Sequence, residues 1–134
     1  MDIQAFLNGL DKLFAKKAID EVEPFLNESM ENAKKENDKS AQFTILNEMM
    51  GFFRDTSQYD KSIKACNQCL SLMKEMNIEG TVDYATSLQN IANAHRAAGK
   101  LEQSLMFYNE EMKIYEKNIE PNDFRMASIN NNIA

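Results

Sequence analysis

Shifting the chain by 42 residues lays it on itself, and this internal period limits the possible folds more than any other feature. Ala85-Thr86 falls on Ala127-Ser128, and Asn90-Ile91-Ala92 falls on Asn132-Ile133-Ala134. In the other direction Leu88 meets Leu46, Arg96 meets Arg54 and Ser104 meets Ser62. Apolar positions match in kind as well: Met49 with Ile91, Tyr59 with Leu101, Ile63 with Leu105, Leu70 with Met112, and Leu72 with Ile114. One register holds over about ninety residues without a gap. A fixed period of this size is the mark of a solenoid, in which each supersecondary unit buries its apolar face against its neighbours.

Within a period the apolar residues recur every three or four positions, so each unit reads as two amphipathic helices. In the middle unit the first helix runs from about Val82 to Ala98, with Thr81 or Asp83 available as N-cap and Gly99 suited to the left-handed C′ position. The second runs from about Leu101 to Asn118 on the stripe Leu101, Leu105, Tyr108, Met112 and Tyr115, and Pro121 stands beyond its end. The preceding unit repeats the plan with helices from about Ser40 to Arg54 and Gln58 to Asn77. Residues 1–39 form a divergent N-terminal pair. Ile3, Phe6, Leu7, Leu10, Leu13 and Phe14 trace one stripe, and Val22, Phe25, Leu26, Met30 and Ala33 trace a second, with Pro24 near its start. The expected class is all-α, an α-α superhelix of about three antiparallel pairs in a single domain, divided at 1–39, 40–81, 82–122 and 123–134.

Composition agrees. Two prolines and four glycines give little of the punctuation an all-β chain needs, while Ala, Leu, Met, Glu, Lys and Gln keep rotamer freedom in helices. The net charge of −6 repels phosphate backbones, which argues against nucleic acid and anionic membranes as partners. Lys12, Lys16 and Lys17, and Lys34, Lys35 and Lys39, are interleaved with Asp, Glu or Asn and read as solvated faces. No apolar run approaches the ~20 residues that span a bilayer. With two cysteines and no secretory start at Met1–Leu13, the expected compartment is the reducing cytoplasm.

The middle unit, residues 83–123, resembles a tetratricopeptide repeat of the longer variety found in kinesin light chains. The likeness rests on Ala85, Leu88, Asn90, Ile91, Ala92, Arg96, Gly99, Lys100, Leu101, Tyr108, Ile114 and Tyr115. It extends well over residues 40–134 and in outline over 1–39. It implies that Ala92 is where the second helix of the pair packs closest, with Gly99 making the turn. Departures stand at Ser104 and Glu111, where the family carries small residues, and at Met50 and Ser57 in the preceding unit. A carboxylate at Glu111 is expected to reach solvent or a partner, or to rotate the helix. The unit carrying Met50 is expected to pack wider. The chain stops at Ala134 within a further first helix, which leads us to expect a piece of a longer array; Asn130, Asn131 and Asn132 speak for the alternative, a solvating cap.

The resemblance further implies a concave surface lined by the first helix of each pair. The residues expected there are Thr44, Asn47, Glu48, Gly51 and Arg54 in one unit, Thr86, Gln89, Asn90, Asn93 and Arg96 in the next, and Ser128, Asn131 and Asn132 in the last. Amides donate and accept together and so match the N–H and C=O of an extended peptide, while a guanidinium forks onto a carboxylate. In related repeats the asparagine matching Asn90 and Asn132 contributes to peptide binding. The alternative is that the amides bond one another and the arginines pair with acids such as Asp55 and Glu48.

The expected function is therefore a module that binds a protein or peptide, without catalysis, cofactor or metal. The other readings are a self-assembling scaffold joined through open solenoid ends, or the sensor part of a larger signalling or transcriptional regulator. Cys66-Asn67-Gln68-Cys69 has redox or zinc spacing, but both thiols fall mid-helix and His95 is the only histidine, so core packing is the expectation for all three. The same holds for Met49, Met73, Met76 and Met112 among the nine methionines.

Overall fold

In a computed structural model, which describes residues 1–118 and Arg125, the chain forms six α-helices and, among the described residues, no strand. They are α1 (Ile3–Ala15), α2 (Val22–Lys35), α3 (Lys39–Asp55), α4 (Tyr59–Glu75), α5 (Val82–Ala97) and α6 (Leu101–Asn118). A 3-10 turn, Ile19–Glu21, leads into α2, so Pro24 falls in the first helical turn, where its missing N–H costs no bond.

Local chemistry fixes both ends of these helices. Asp2, Asp38 and Thr81 accept from the backbone N–H of Ala5, Ala41 and Tyr84, at 3.0, 3.0 and 3.2 Å, and so cap α1, α3 and α5. At the C-terminal ends α1 to α5 share one device. Lys17, Asn37, Ser57, Asn77 and Gly99 are all left-handed, with φ between 53° and 80°. The residue after each then donates back across the last turn, as Gln58 N–H does to Phe53 O (2.7 Å) and Lys100 N–H to His95 O (2.8 Å). This six-to-one closure satisfies carbonyls that would otherwise be orphaned and turns the chain back, so that only residues 36–38, 56–58 and 98–100 separate α2 from α3, α3 from α4 and α5 from α6.

The first and second helices of each pair form two layers, α1, α3 and α5 in one and α2, α4 and α6 in the other. Helix α3 lies against α2, α4 and α5, and α5 lies against α3, α4 and α6. The main core runs through this stack, with Leu26, Ile45, Leu46, Met50, Cys66, Met73, Leu88 and Ile91 nearly or fully out of water, and a smaller cluster around Ala85 and Tyr115 joins α5 to α6. The second pair touches where Ser62 Oγ donates to Met50 O at 2.9 Å. In the next pair the equivalent residues, Ser104 and Ala92, are likewise buried. At the N-terminus the rings of Phe6 and Phe25 stack with centroids 5.6 Å apart, and Gly9 lies under the same ring. A Cβ on Gly9 would stand 2.9 Å from Phe25 Cζ, so α1 owes its close approach to α2 to that glycine.

The stripe expected along α6 is only half internal. Tyr108 and Tyr115 are buried, but Leu101 and Leu105 are 65% and 47% exposed, and Met106 is 65% exposed. Glu111 also departs from expectation. It is fully buried, and among the described residues neither carboxyl oxygen has a hydrogen-bond partner.

Candidate functional site

The layer formed by α1, α3 and α5 carries the residues singled out in the sequence. On α3, Thr44 donates to Ser40 O (3.3 Å), Asn47 donates to Phe43 O (3.0 Å), and Arg54 Nε pairs with Asp55 Oδ1 at 3.2 Å. Glu48 is half-buried, and its carboxyl is held above the usual range by burial and by the charge of Asp11 on α1. The two central helices meet through side-chain amides: Asn90 Nδ2 on α5 donates to Asn47 Oδ1 on α3 at 3.0 Å. Asn90 Oδ1 accepts no hydrogen bond among the described residues, so the pair keeps an acceptor and spare N–H groups for another molecule.

Two of the expected residues face elsewhere. Thr86 shares a 2.7 Å hydrogen bond with the Tyr115 hydroxyl, and Asn93 accepts from the Tyr108 hydroxyl, so both are tied to α6 instead of pointing away from it. Long phenols on α6 reach past the helix contact and capture short polar side chains on α5, which spacing along α5 alone does not show. Arg96 lies over the Tyr108 ring, 5.8 Å from its centroid, so the phenol that holds Asn93 also supports the guanidinium. Gln89 is half-buried on α5, and Gly51 leaves the Arg54 guanidinium close above its backbone, 4.0 Å from where a Cβ would stand. Ser128, Asn131 and Asn132 lie outside the described residues.

The remaining chemical candidates are structural. Cys66 and Cys69 are fully buried free thiols, each pushed up to about 12, chiefly by burial. A thiol so far from ionising does not attack electrophiles. Native protein is therefore expected to leave a chromogenic disulfide reagent unreacted and to release two equivalents only on denaturation; fast labelling of the native form would contradict the packing described. His95 is buried, with Nδ1 2.8 Å from Ile91 O and its ring 5.1 Å from that of Phe107. Among the described residues no group of three or more His, Cys, Asp or Glu could hold a metal ion, and no helix is long and apolar enough to cross a membrane.

Antiparallel helix pairs stacked in one direction, with polar groups gathered on the layer of first helices, define an α-solenoid. The tetratricopeptide repeat model matches residues 41–117, which is more than half of the chain, and the chain belongs to that family. It is also similar to the crystal structure of BtubC (BKLC) from P. vanneervenii, with a TM-score of 0.81 at 19% identity. The match covers 92% of this chain and 50% of that one, so the chain spans half the length of that structure. Comparison with curated proteins finds no match. Tetratricopeptide repeats are, in general, protein-interaction modules.

Proposed function

We propose that the chain binds an extended segment of a protein partner along the α3–α5 surface, with residues 1–134 acting as one binding domain. The observation that carries this is the Asn47–Asn90 amide pair. It bridges two helices, is half-buried, and still leaves an acceptor on Asn90 for a peptide N–H. Arg54, by exchanging its 3.2 Å contact with Asp55, and Arg96, at the equivalent place one unit on, supply cations for carboxylates on the segment. Thr44 and Gln89 extend the polar strip. Thr86 and Asn93 act by holding Tyr115 and Tyr108 against α5, and by the 42-residue period Asn131 and Asn132 are the further binding positions. A tight peptide of this kind needs little backbone movement, since the amide pair is already bonded in place.

The test is selection of binders from a displayed random-peptide library, followed by calorimetry on variants. Asn90→Ala is expected to weaken a selected peptide by about tenfold, the cost of one or two backbone-directed hydrogen bonds. The double change Arg54→Ala and Arg96→Ala is expected to do the same for peptides with carboxylates and to leave carboxylate-free peptides unaffected. Unchanged affinity in all of these would remove the α3–α5 surface from consideration.

A further inference from the structure

The opposite layer, α2, α4 and α6, carries two features that the peptide reading does not use. The first is an open groove between α2 and α4, floored by α3, with a main compartment of about 590 Å³. Met30, Leu46, Ile63 and Leu72 make it apolar, and a second compartment of about 330 Å³ continues it past Met49 and Phe53. At that end Lys61 bonds Glu23 at 2.7 Å and ties the two walls together. The second feature is the ridge on α6. Seven large apolar side chains are exposed among the described residues, and three of them, Leu101, Leu105 and Met106, fall within six consecutive positions. Clustered exposure of this kind marks an interaction surface; single exposed residues do not.

The repeat explains why the groove is open. Gln42 and Gln68 line it, and one period later the same positions hold Tyr84 and Glu110. There the Tyr84 ring is buried and its hydroxyl donates to Glu110 at 3.2 Å, so the chain fills that space with its own side chain. Between α2 and α4 a glutamine stands in its place, and apolar groups of another molecule can enter.

We propose that this face pairs two copies of the chain, the α6 ridge of each seating in the α2–α4 groove of the other. Charge favours this occupant. Lys34 and Lys64, one on each wall and shared by both compartments, form no ion pair among the described residues. The ridge carries Glu102 between Leu101 and Leu105, also in no ion pair. The carboxylates at the groove ends, Glu23 and Glu75, are already paired with Lys61 and Lys39. Glu31 and Asp60 remain as the opposing charges of the lining, so the centre, and not the whole groove, is what attracts an acidic ridge. Since ridge and groove lie on one layer, a two-fold axis brings each ridge to the other copy's groove and the assembly closes as a dimer. The α3–α5 surface stays free on both copies.

Sedimentation equilibrium from low micromolar to near-millimolar concentration tests this, with circular dichroism to confirm that each variant is folded. The wild-type chain is expected to pass from monomer to dimer. The ridge variant Leu105→Glu with Met106→Glu, and the groove variants Gln42→Tyr and Lys34→Glu with Lys64→Glu, should each raise the dissociation constant at least about tenfold. Mixing a ridge variant with a groove variant should give a heterodimer tighter than either variant alone, because one ridge and its groove remain intact. A monomer at every concentration, a dimer indifferent to both kinds of variant, or growth into open polymers would each overturn the proposal. None of these outcomes bears on peptide binding, which uses the other layer.

Discussion

Glu111→Gln is expected to raise stability at pH 7 by about 1–2 kcal/mol, against the usual direction for a core substitution. The reason is the state of the carboxyl. It is fully buried, no donor among the described residues reaches either oxygen, and burial pushes its pKa from 4.5 to about 8. The protonated acid is thus the form that the fold holds, while the unfolded chain ionises near 4.5. Below that value both states carry the proton and the residue is neutral in its effect. As pH rises toward 8 the unfolded state gains by releasing the proton and the folded state does not, so stability falls throughout that interval and then levels off. At pH 7 the loss is about 3 kcal/mol. Glutamine removes that loss but still buries an amide without a partner, which returns part of it.

Thermal unfolding of both proteins between pH 4.5 and 9 is the measurement. The variant should melt about 5 °C higher at pH 7, more at pH 8, and a few degrees below the wild type near pH 4.5, where only the cost of the buried amide is left. A gain independent of pH would mean that glutamine merely packs better. No gain at pH 8 would mean that the carboxylate finds a cation or water. Cys69 occupies the equivalent place one period earlier and is buried with no such penalty to bear, which makes Glu111→Cys a second way to obtain the same gain.

The contrast between Cys69 and Glu111 shows how far the sequence can be read. Periodicity located α1 to α6 to within a residue or two at most ends, because the apolar stripes that define a helix also bury it. The exception is α2, where Ile19–Glu21 is a 3-10 turn and the α-helix proper begins at Val22. Gly99 was legible as a left-handed turn, and Asn37 and Asn77 are residues that readily take that conformation, but Lys17 and Ser57 adopt it with side chains that do not announce it. At those two places the closing hydrogen bonds from Ala18 to Leu13 and from Gln58 to Phe53 decide the backbone, and residue preference is overridden. For the polar residues on α3 and α5 the places were legible but the partners were not. Asn47 and Asn90 bond each other and Arg54 pairs with Asp55, as the alternative to peptide binding has it. Thr86 and Asn93 turn to tyrosines whose reach depends on how α6 sits on α5. Leu101 and Leu105 were assigned to the buried stripe because they continue its spacing. Their exposure follows from what lies beside α6, and one helix's pattern carries no record of its neighbours. The sequence does carry one sign of that exposure in Met106, an apolar residue directly beside Leu105 and off the stripe.

Ala92→Leu is expected to cost about 3 kcal/mol or more, the largest loss from any single apolar exchange in the α5–α6 pair. Ala92 is fully buried on α5, and one period earlier the matching backbone carbonyl, that of Met50, accepts the hydroxyl of Ser62. One period on, the residues at the places of Met50 and Ser62 are Ala92 and Ser104, both small and both buried, so little room is left there between α5 and α6. Three added carbons there cannot be absorbed by a rotamer change. They must separate the helices, and the two phenols that bond Thr86 and Asn93, Tyr115 and Tyr108, both follow Ser104 along α6. Separation therefore stretches both together, and Tyr108 withdraws from beneath Arg96. Met50 makes the comparison informative: a long side chain at the matching place is buried in α3, so the preceding pair tolerates bulk that this one does not. Urea unfolding of Ala92→Leu beside Met50→Leu measures the difference. A loss of several kcal/mol for the first against less than about 1.5 kcal/mol for the second is expected. Equal losses would mean that the two pairs share one spacing and that the small residues Ala92 and Ser104 set nothing. In the expected case, amide exchange in α6 should rise along with exchange in α5, because the tyrosines that orient Arg96 and Asn93 hold the two helices as one unit.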